Sequence, residues 1–367
     1  MKNTKFILCL SCVVLSMASC RKDDSFIPED QEQLPAEPSV ELAGFYLLNE
    51  ANMGSNKSSL DYYDFNSGNY RKNIYSQANP NATLGLGDVG NDIKIYGSRL
   101  YVVVNMSDKV EVLAAKTAKR IGQINIPNCR YITFYKSKAY ITAYDGYVSV
   151  VDTASLKEEK QIAVGKQPEE MAIVGTKLYV ANSGGYNYPN YERTVSVIDL
   201  NTLSETKRID VAINLHRLKA DQYGDLYVTS RGDYYNIPSN LFVIDTKTDQ
   251  VKKTFNLAAS NIAIDKDEAY LYSVEWNNNT GSNAISYAKI NVKDETIISK
   301  SFITDGTDQS IVIPYGIAVN PVNSDVYVTD AKDYVSPGTL YCFDKAGKKK
   351  FSVTTGDIPA HLVFLNK

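Results

Sequence analysis

Histidine and tryptophan are almost missing from this chain, with two of the first and one of the second in 367 residues. That leaves a multi-histidine metal centre little to draw on. Cysteine is scarce too: Cys9, Cys12 and Cys20 crowd the start, and only Cys129 and Cys342 follow. Two cysteines so far apart exclude a disulfide-stapled scaffold and form no metal motif. Basic residues are short as well, with 39 Lys and Arg against 42 Asp and Glu and a formal net charge of −3. Such a balance lacks the cationic footprint that a phosphate backbone requires, so nucleic acid is excluded as the expected partner. No amphipathic helical stretch of useful length occurs, and the apolar run Phe6 to Leu15 is too short to span a bilayer.

What is present begins with an export signal. Lys2 and Lys5 precede that apolar run, and Ala18 and Ser19 lead into Cys20. Small-small-Cys after an apolar run resembles a bacterial lipobox, with Met17 where such boxes usually carry Leu. The expectation is a signal peptide over 1–19, lipidation of Cys20, and a flexible tether over 20–43 rich in proline and acids. Its opening, Arg21-Lys22-Asp23-Asp24, resembles the signal that sends some Bacteroidota lipoproteins to the outer surface.

The rest is a repeat. An apolar-Tyr pair followed by alternating apolar positions recurs at Phe45-Tyr46, Leu100-Tyr101, Ala139-Tyr140, Leu178-Tyr179, Leu226-Tyr227, Leu271-Tyr272 and Val326-Tyr327. Spacing and alternation match four-stranded propeller blades. Seven copies predict an all-β fold: a seven-bladed β-propeller of antiparallel blades over 44–367. The first copy lacks an inner strand and the chain ends in one, Ala360 to Asn366, which is expected to complete the first blade and close the ring. Asp64, Asp152, Asp199, Asp245 and Asp344 each end a third strand before a short polar turn, and are read as Asx-turn caps.

Blade topology sends connections to two rims. One set is uniformly short; the other holds the long, aromatic segments, including Glu50 to Ser59, Asn182 to Thr194, Ser230 to Asn240, Glu275 to Ala284 and Asp330 to Thr339. Tyr and Trp offer large contact area at small entropic cost, while Asn supplies adaptable hydrogen bonds, so this rim is the expected binding face. The candidate contacts are Asn52, Asn105, Tyr144, Tyr188, Arg231, Tyr234, Trp276, Asn277, Tyr315, Asp330 and Tyr334. Polar pairs opening the inner strands are expected to ring the central channel: Asp92, Arg130, Glu170, His216, Arg217, Asn261 and His361 belong to them.

The copy Pro168, Leu178-Tyr179-Val180-Ala181-Asn182 and Val195-Ser196-Val197-Ile198-Asp199 resembles the repeat of the YncE-like propellers. With the lipobox and the Tyr/Asn loops, the chain is similar to Bacteroidota surface lipoproteins such as the BtuG proteins. That resemblance implies capture of a corrinoid, vitamin B12, on the long-loop face and its transfer to a TonB-dependent outer-membrane transporter. It implies an outer-membrane location, membrane contact through the lipid anchor only, and a propeller acting alone or with that transporter. No catalytic residue, metal or catalytic cofactor is assigned. Two other readings stay open: a module binding a peptide, glycan or other surface partner, and a lyase or hydrolase using Glu170, His216, Arg217 and His361 as acid and base.

Overall fold

Seven antiparallel sheets follow one another along the chain in the computed structural model, which describes residues 30–277 and 280–367. Cys20, the leader and the tether's first residues, 20–29, lie outside these residues. Six sheets have four strands in sequence order. They are blade 2 (Gly90–Tyr96 to Arg120–Asn125), blade 3 (Cys129–Tyr135 to Glu158–Ala163), blade 4 (Pro168–Val174 to Ser204–Asp210), blade 5 (Leu215–Ala220 to Gln250–Thr254), blade 6 (Asn261–Asp265 to Thr296–Ser299) and blade 7 (Pro314–Val319 to Lys349–Asp357). Blade 1 is built from both ends of the chain. Pro359–Asn366 pairs with Leu42–Asn49, so the last strand supplies the first blade's inner edge. Each inner strand touches its neighbours around the circle, and the ring closes.

The recurrent tyrosine explains how blades hold each other. Tyr46, Tyr101, Tyr140, Tyr179, Tyr227 and Tyr327 are at most 2% exposed, sandwiched between adjacent sheets. Three of their hydroxyls donate to the next blade's turn between strands three and four: Tyr46 to Ala115 O at 2.6 Å, Tyr179 to Asp249 Oδ1 at 2.8 Å, Tyr227 to Val292 O at 2.9 Å. A buried phenol needs such a partner. In blade 6 the register corrects the sequence alignment. Tyr270 takes the repeat position, facing Ala263 and Lys289 as Tyr179 faces Ala172 and Val197. Tyr272 stands two residues nearer the mouth. The recurrent Asp residues cap turns as expected: Asp64, Asp152 and Asp199 each accept two backbone N–H groups from the following turn.

Two further expectations change. The tether expected over 20–43 is not free throughout, because Gln31–Gln33 adds a fifth strand outside Asn69–Arg71. Leu34, 6% exposed, packs with Phe45 and Phe65 behind it. The outer strand of blade 1 is only three residues long, and the added strand covers an edge that would otherwise pair with other chains. The loop expected at Glu275 to Ala284 is largely strand: Glu275 faces Ala284 and Trp276 faces Asn283, so the middle pair of blade 6 runs on as a projecting hairpin.

Candidate functional site

The inner strands begin irregularly, and this creates the channel mouth. Register shifts interrupt the ladder near the start of the inner strand in blades 2, 3, 4, 5 and 7. A bulge lets consecutive side chains leave the strict in-out alternation. In blades 3, 5 and 7 a buried threonine of the second strand fills the gap. Its Oγ1 accepts the backbone N–H of Tyr131 (from Thr142), Arg217 (from Thr229) and Gly316 (from Thr329), at 3.0, 3.0 and 2.7 Å. Arg130 with Tyr131, and His216 with Arg217, therefore all reach the mouth.

They line a cavity of about 580 Å³, within the range of small-molecule sites. Its floor holds Arg130, Tyr131, His216, Arg217 and His361. The blade 5 loop from Tyr234 to Ser239, Trp276 on the blade 6 hairpin, and Tyr315 and Tyr334 of blade 7 form the walls. Trp276 is 60% exposed, so a large apolar face stands open to solvent at the rim. Fully buried Glu169 organises one side. It accepts from Arg130 Nη2 at 3.2 Å, Arg231 Nη1 at 3.0 Å and the Tyr144 hydroxyl at 2.7 Å. Burial acts to raise its pKa, but the two guanidiniums prevail and hold the carboxyl below the usual range, so it stays ionised. Opposite, Glu50 accepts the Tyr315 hydroxyl at 2.7 Å, and burial pushes its pKa up.

Of the residues expected on the binding face, the cavity brings together Arg231, Tyr234, Trp276, Tyr315 and Tyr334, and from the ring Arg130, His216, Arg217 and His361. Two stand behind the wall. Asn52 donates its amide to Tyr334 O, and the Tyr144 ring lies 4.5 Å from the Arg130 guanidinium carbon. The others are elsewhere. Tyr188 packs on Tyr191 and Tyr235, 6.0 and 6.2 Å between centroids, outside the cavity lining. Asn105 is buried and donates to Cys129 O, and Asp330 is buried and accepts three backbone N–H groups. Asn277 ends its strand opposite Ser282, and its side chain lies outside the described residues. Asp92, Glu170 and Asn261 do not face the mouth. Each reaches across to the next blade's inner strand: Asp92 accepts Ile132 N–H, Glu170 accepts Leu218 N–H, and Asn261 donates to Tyr315 O. Their polarity serves interblade bonding.

Tyr272 was missed as a cavity residue, and Glu50 and Asn236 to Ser239 were not among the named contacts although their segments were expected on this rim. Tyr272 was hidden by the two-residue misalignment of blade 6. Among the described residues one trio has metal-ligand proximity, Glu37, Asp325 and Cys342. The Lys350 ammonium already sits between its carboxylates, 2.7 Å from Asp325 Oδ2, and supplies the positive charge. Cys129 and Cys342 are both buried and unpaired.

His216 and His361 are held well below the ordinary imidazole pKa, first by burial, then by neighbouring cations: Arg231 and Arg217 for His216, Arg217 and Lys94 for His361. Both are neutral in the folded protein at neutral pH, whereas unfolded imidazoles take up protons below about pH 6.5. The unfolded state then binds more protons. Stability is full above that pH and falls as pH drops toward the folded pKa, by about 1.4 kcal/mol per pH unit for each histidine. Melting curves between about pH 7.5 and 5.5 are expected to show this loss, reduced in His216→Gln and again in His361→Gln. Equal slopes in all three proteins would contradict it.

Known structures share the architecture. A quinonprotein alcohol dehydrogenase-like protein from Bacteroides thetaiotaomicron superposes with a TM-score of 0.64 at 17% identity, covering 88% of this chain and 78% of that one. Hydrazine synthase from Kuenenia stuttgartiensis gives 0.58 at 18%, covering 70% and 76%. The WD40 domain of Pan2 from Neurospora crassa gives 0.55 at 12%, covering 74% and 81%. At these identities the likeness concerns the fold alone. No curated protein sequence matches the chain. Residues 43–365, the propeller from its first strand to its last, match the family described as "Domain of unknown function (DUF5074)", and the chain belongs to that family.

Proposed function

We propose that this protein is a ligand-capture propeller that binds a corrinoid at the long-loop mouth, rests on the outer membrane through lipid on Cys20, and passes its cargo to a TonB-dependent transporter. The supporting observation is the open cavity under a rim of exposed aromatics, Tyr234, Tyr235 and Trp276, with guanidiniums at its base. A flat macrocycle fringed with amides is too large for an enclosed pocket. Such a ligand would seat one edge in the cavity and lay its face on the aromatics. Arg130 and Arg231 at the mouth are held in place by Glu169, as a pre-organised binding surface needs.

Trp276 is the only tryptophan, and it borders the cavity. Cyanocobalamin is expected to quench its emission saturably at sub-micromolar concentration. A Phe or Tyr at 276 loses the signal, so capture by Trp276→Ala is followed by retained ligand colour, with affinity at least about tenfold weaker, or about 1.4 kcal/mol. A flat titration after correction for ligand absorbance, with colourless protein after washing, would sink the corrinoid reading.

The lyase or hydrolase alternative has one favourable observation: the Tyr131 hydroxyl lies 3.1 Å from His216 Nε2, while Arg217 donates to the same oxygen at 2.9 Å. A relay from that phenol to that imidazole would run uphill in the free protein, since burial raises the pKa of Tyr131 and lowers that of His216. Glu170 is not part of that relay, being bonded to Lys219 and to Leu218 N–H. A His216→Ala variant that binds ligand normally and shows no lost turnover against the wild type favours capture.

A further inference from the structure

Among the described residues lining the cavity, Arg217 is the only cation without a carboxylate at ion-pair distance. Arg130 and Arg231 both pair with Glu169, at 3.2 and 3.0 Å. Arg217 is 7% exposed, and its guanidinium makes one hydrogen bond, from Nη1 to the Tyr131 hydroxyl, with its carbon 5.4 Å from the centre of the same ring. Its Nε is buried and has no acceptor. Two acids act on it electrostatically without an ion pair: Glu170 is bonded to the Lys219 ammonium and to Leu218 N–H, and Glu50, its pKa raised by burial, accepts the Tyr315 hydroxyl. The two imidazoles beside it are neutral and bring no negative charge. A buried guanidinium with an idle donor is expensive to keep, and removing such a charge often stabilises a fold. Native proteins seldom leave buried donors idle without a reason. Here the arginine lines a cavity large enough for a small molecule.

We propose that Arg217 receives an oxyanion of the captured molecule, a phosphate ester or a carboxylate, at the floor of the mouth. The proposal rests on reading this cavity as the ligand site, and does not require the ligand to be a corrinoid. The guanidinium presents a planar fork that matches two oxygens of either group. With the anion down against Arg217, the ligand's ring system lies upward against Tyr234, Trp276 and Tyr334. The cavity thereby selects molecules that carry a negative group at one end and an aromatic or conjugated body at the other. An uncharged amphiphile leaves Arg217 buried and unpaired, and is disfavoured.

Three small probes test this without any assumption about the natural ligand: phenyl phosphate, benzoate and benzyl alcohol, each titrated by calorimetry into wild-type protein and Arg217→Met. Phenyl phosphate or benzoate is expected to bind at least tenfold tighter than benzyl alcohol, and whichever of the two is stronger names the oxyanion. In Arg217→Met that preference disappears. The melting temperature of Arg217→Met without ligand is expected to equal or exceed that of the wild type, since a buried unpaired charge is gone; a purely structural arginine would leave it lower. Equal binding of all three probes, or an anion preference that survives in Arg217→Met, overturns the proposal. A parallel comparison of cyanocobalamin with dicyanocobinamide, which lacks the phosphodiester, separates the two readings. If no corrinoid binds while the anion preference holds, the corrinoid assignment fails and the oxyanion site stands.

Discussion

A chain ending at Ile358 is expected to lose the monomeric propeller altogether. The deleted strand, Pro359–Asn366, pairs along the whole of Leu42–Asn49, from Asn366 opposite Leu42 to Pro359 opposite Asn49. Its Phe364 ring lies 6.1 Å from Phe45 and 5.8 Å from Tyr327, so it joins blade 1 to blade 7. Ala360 and Leu365 are buried, at 3% and 6% exposure. Burying two or three side chains of this kind contributes roughly 5–8 kcal/mol. That is comparable to the whole stability of an ordinary domain, about 5–15 kcal/mol. The deletion also bares the inner edge of Leu42–Asn49, a flat apolar template for pairing with other chains. Insoluble or oligomeric protein by size-exclusion chromatography is the expected outcome. A soluble monomer melting at the wild-type temperature would show that closure contributes little.

Glu169→Gln is expected to be the most damaging point change at the mouth. The carboxylate has no exposure and ties together Arg130, Tyr144 and Arg231, from blades 3 and 5 as well as its own blade 4. A neutral amide of the same shape keeps the packing but leaves two largely buried guanidiniums facing each other without a counter-charge. Breaking a buried ion pair from one side costs about 3–5 kcal/mol. Arg231 keeps 24% exposure, which places the effect toward the lower figure. The measurement is urea or thermal unfolding of Glu169→Gln beside Glu169→Gln/Arg231→Met. Removing one stranded cation should recover part of the loss. If the double variant is no more stable than the single, like-charge strain is not the cause.

The propeller was legible because its signals are local and repeated. A tyrosine at a fixed place in successive strands and an Asp at the following turn each reflect a chemical need met within a blade or between neighbours. The missing first inner strand and the surplus last one point to closure for the same reason. Where the pattern was read wrongly, the cause was also local. Tyr270 and Tyr272 both follow an apolar residue, and only the pairing of Asp265 with Glu268 shows which belongs to the repeat. Gln31–Gln33 carries no apolar alternation, yet it forms a strand because blade 1's short outer edge offers it partners.

The sequence by itself determined the blade count, the closing strand and the rim on which long aromatic segments gather, since these follow from the period and from connection lengths. Which side chains meet at the mouth was decided only by tertiary structure. Asp92, Glu170 and Asn261 read the same as Arg130, His216 and Arg217 in a string of polar pairs, but the backbone at the strand starts turns one set between blades and the other into the cavity. Charge followed the same rule. Glu169 neutralises Arg130 and Arg231 because the inner strand of blade 3 and a loop of blade 5 bring them to it, and Arg217 is left without an ion-pair partner at the cavity because Glu170 is held by Lys219.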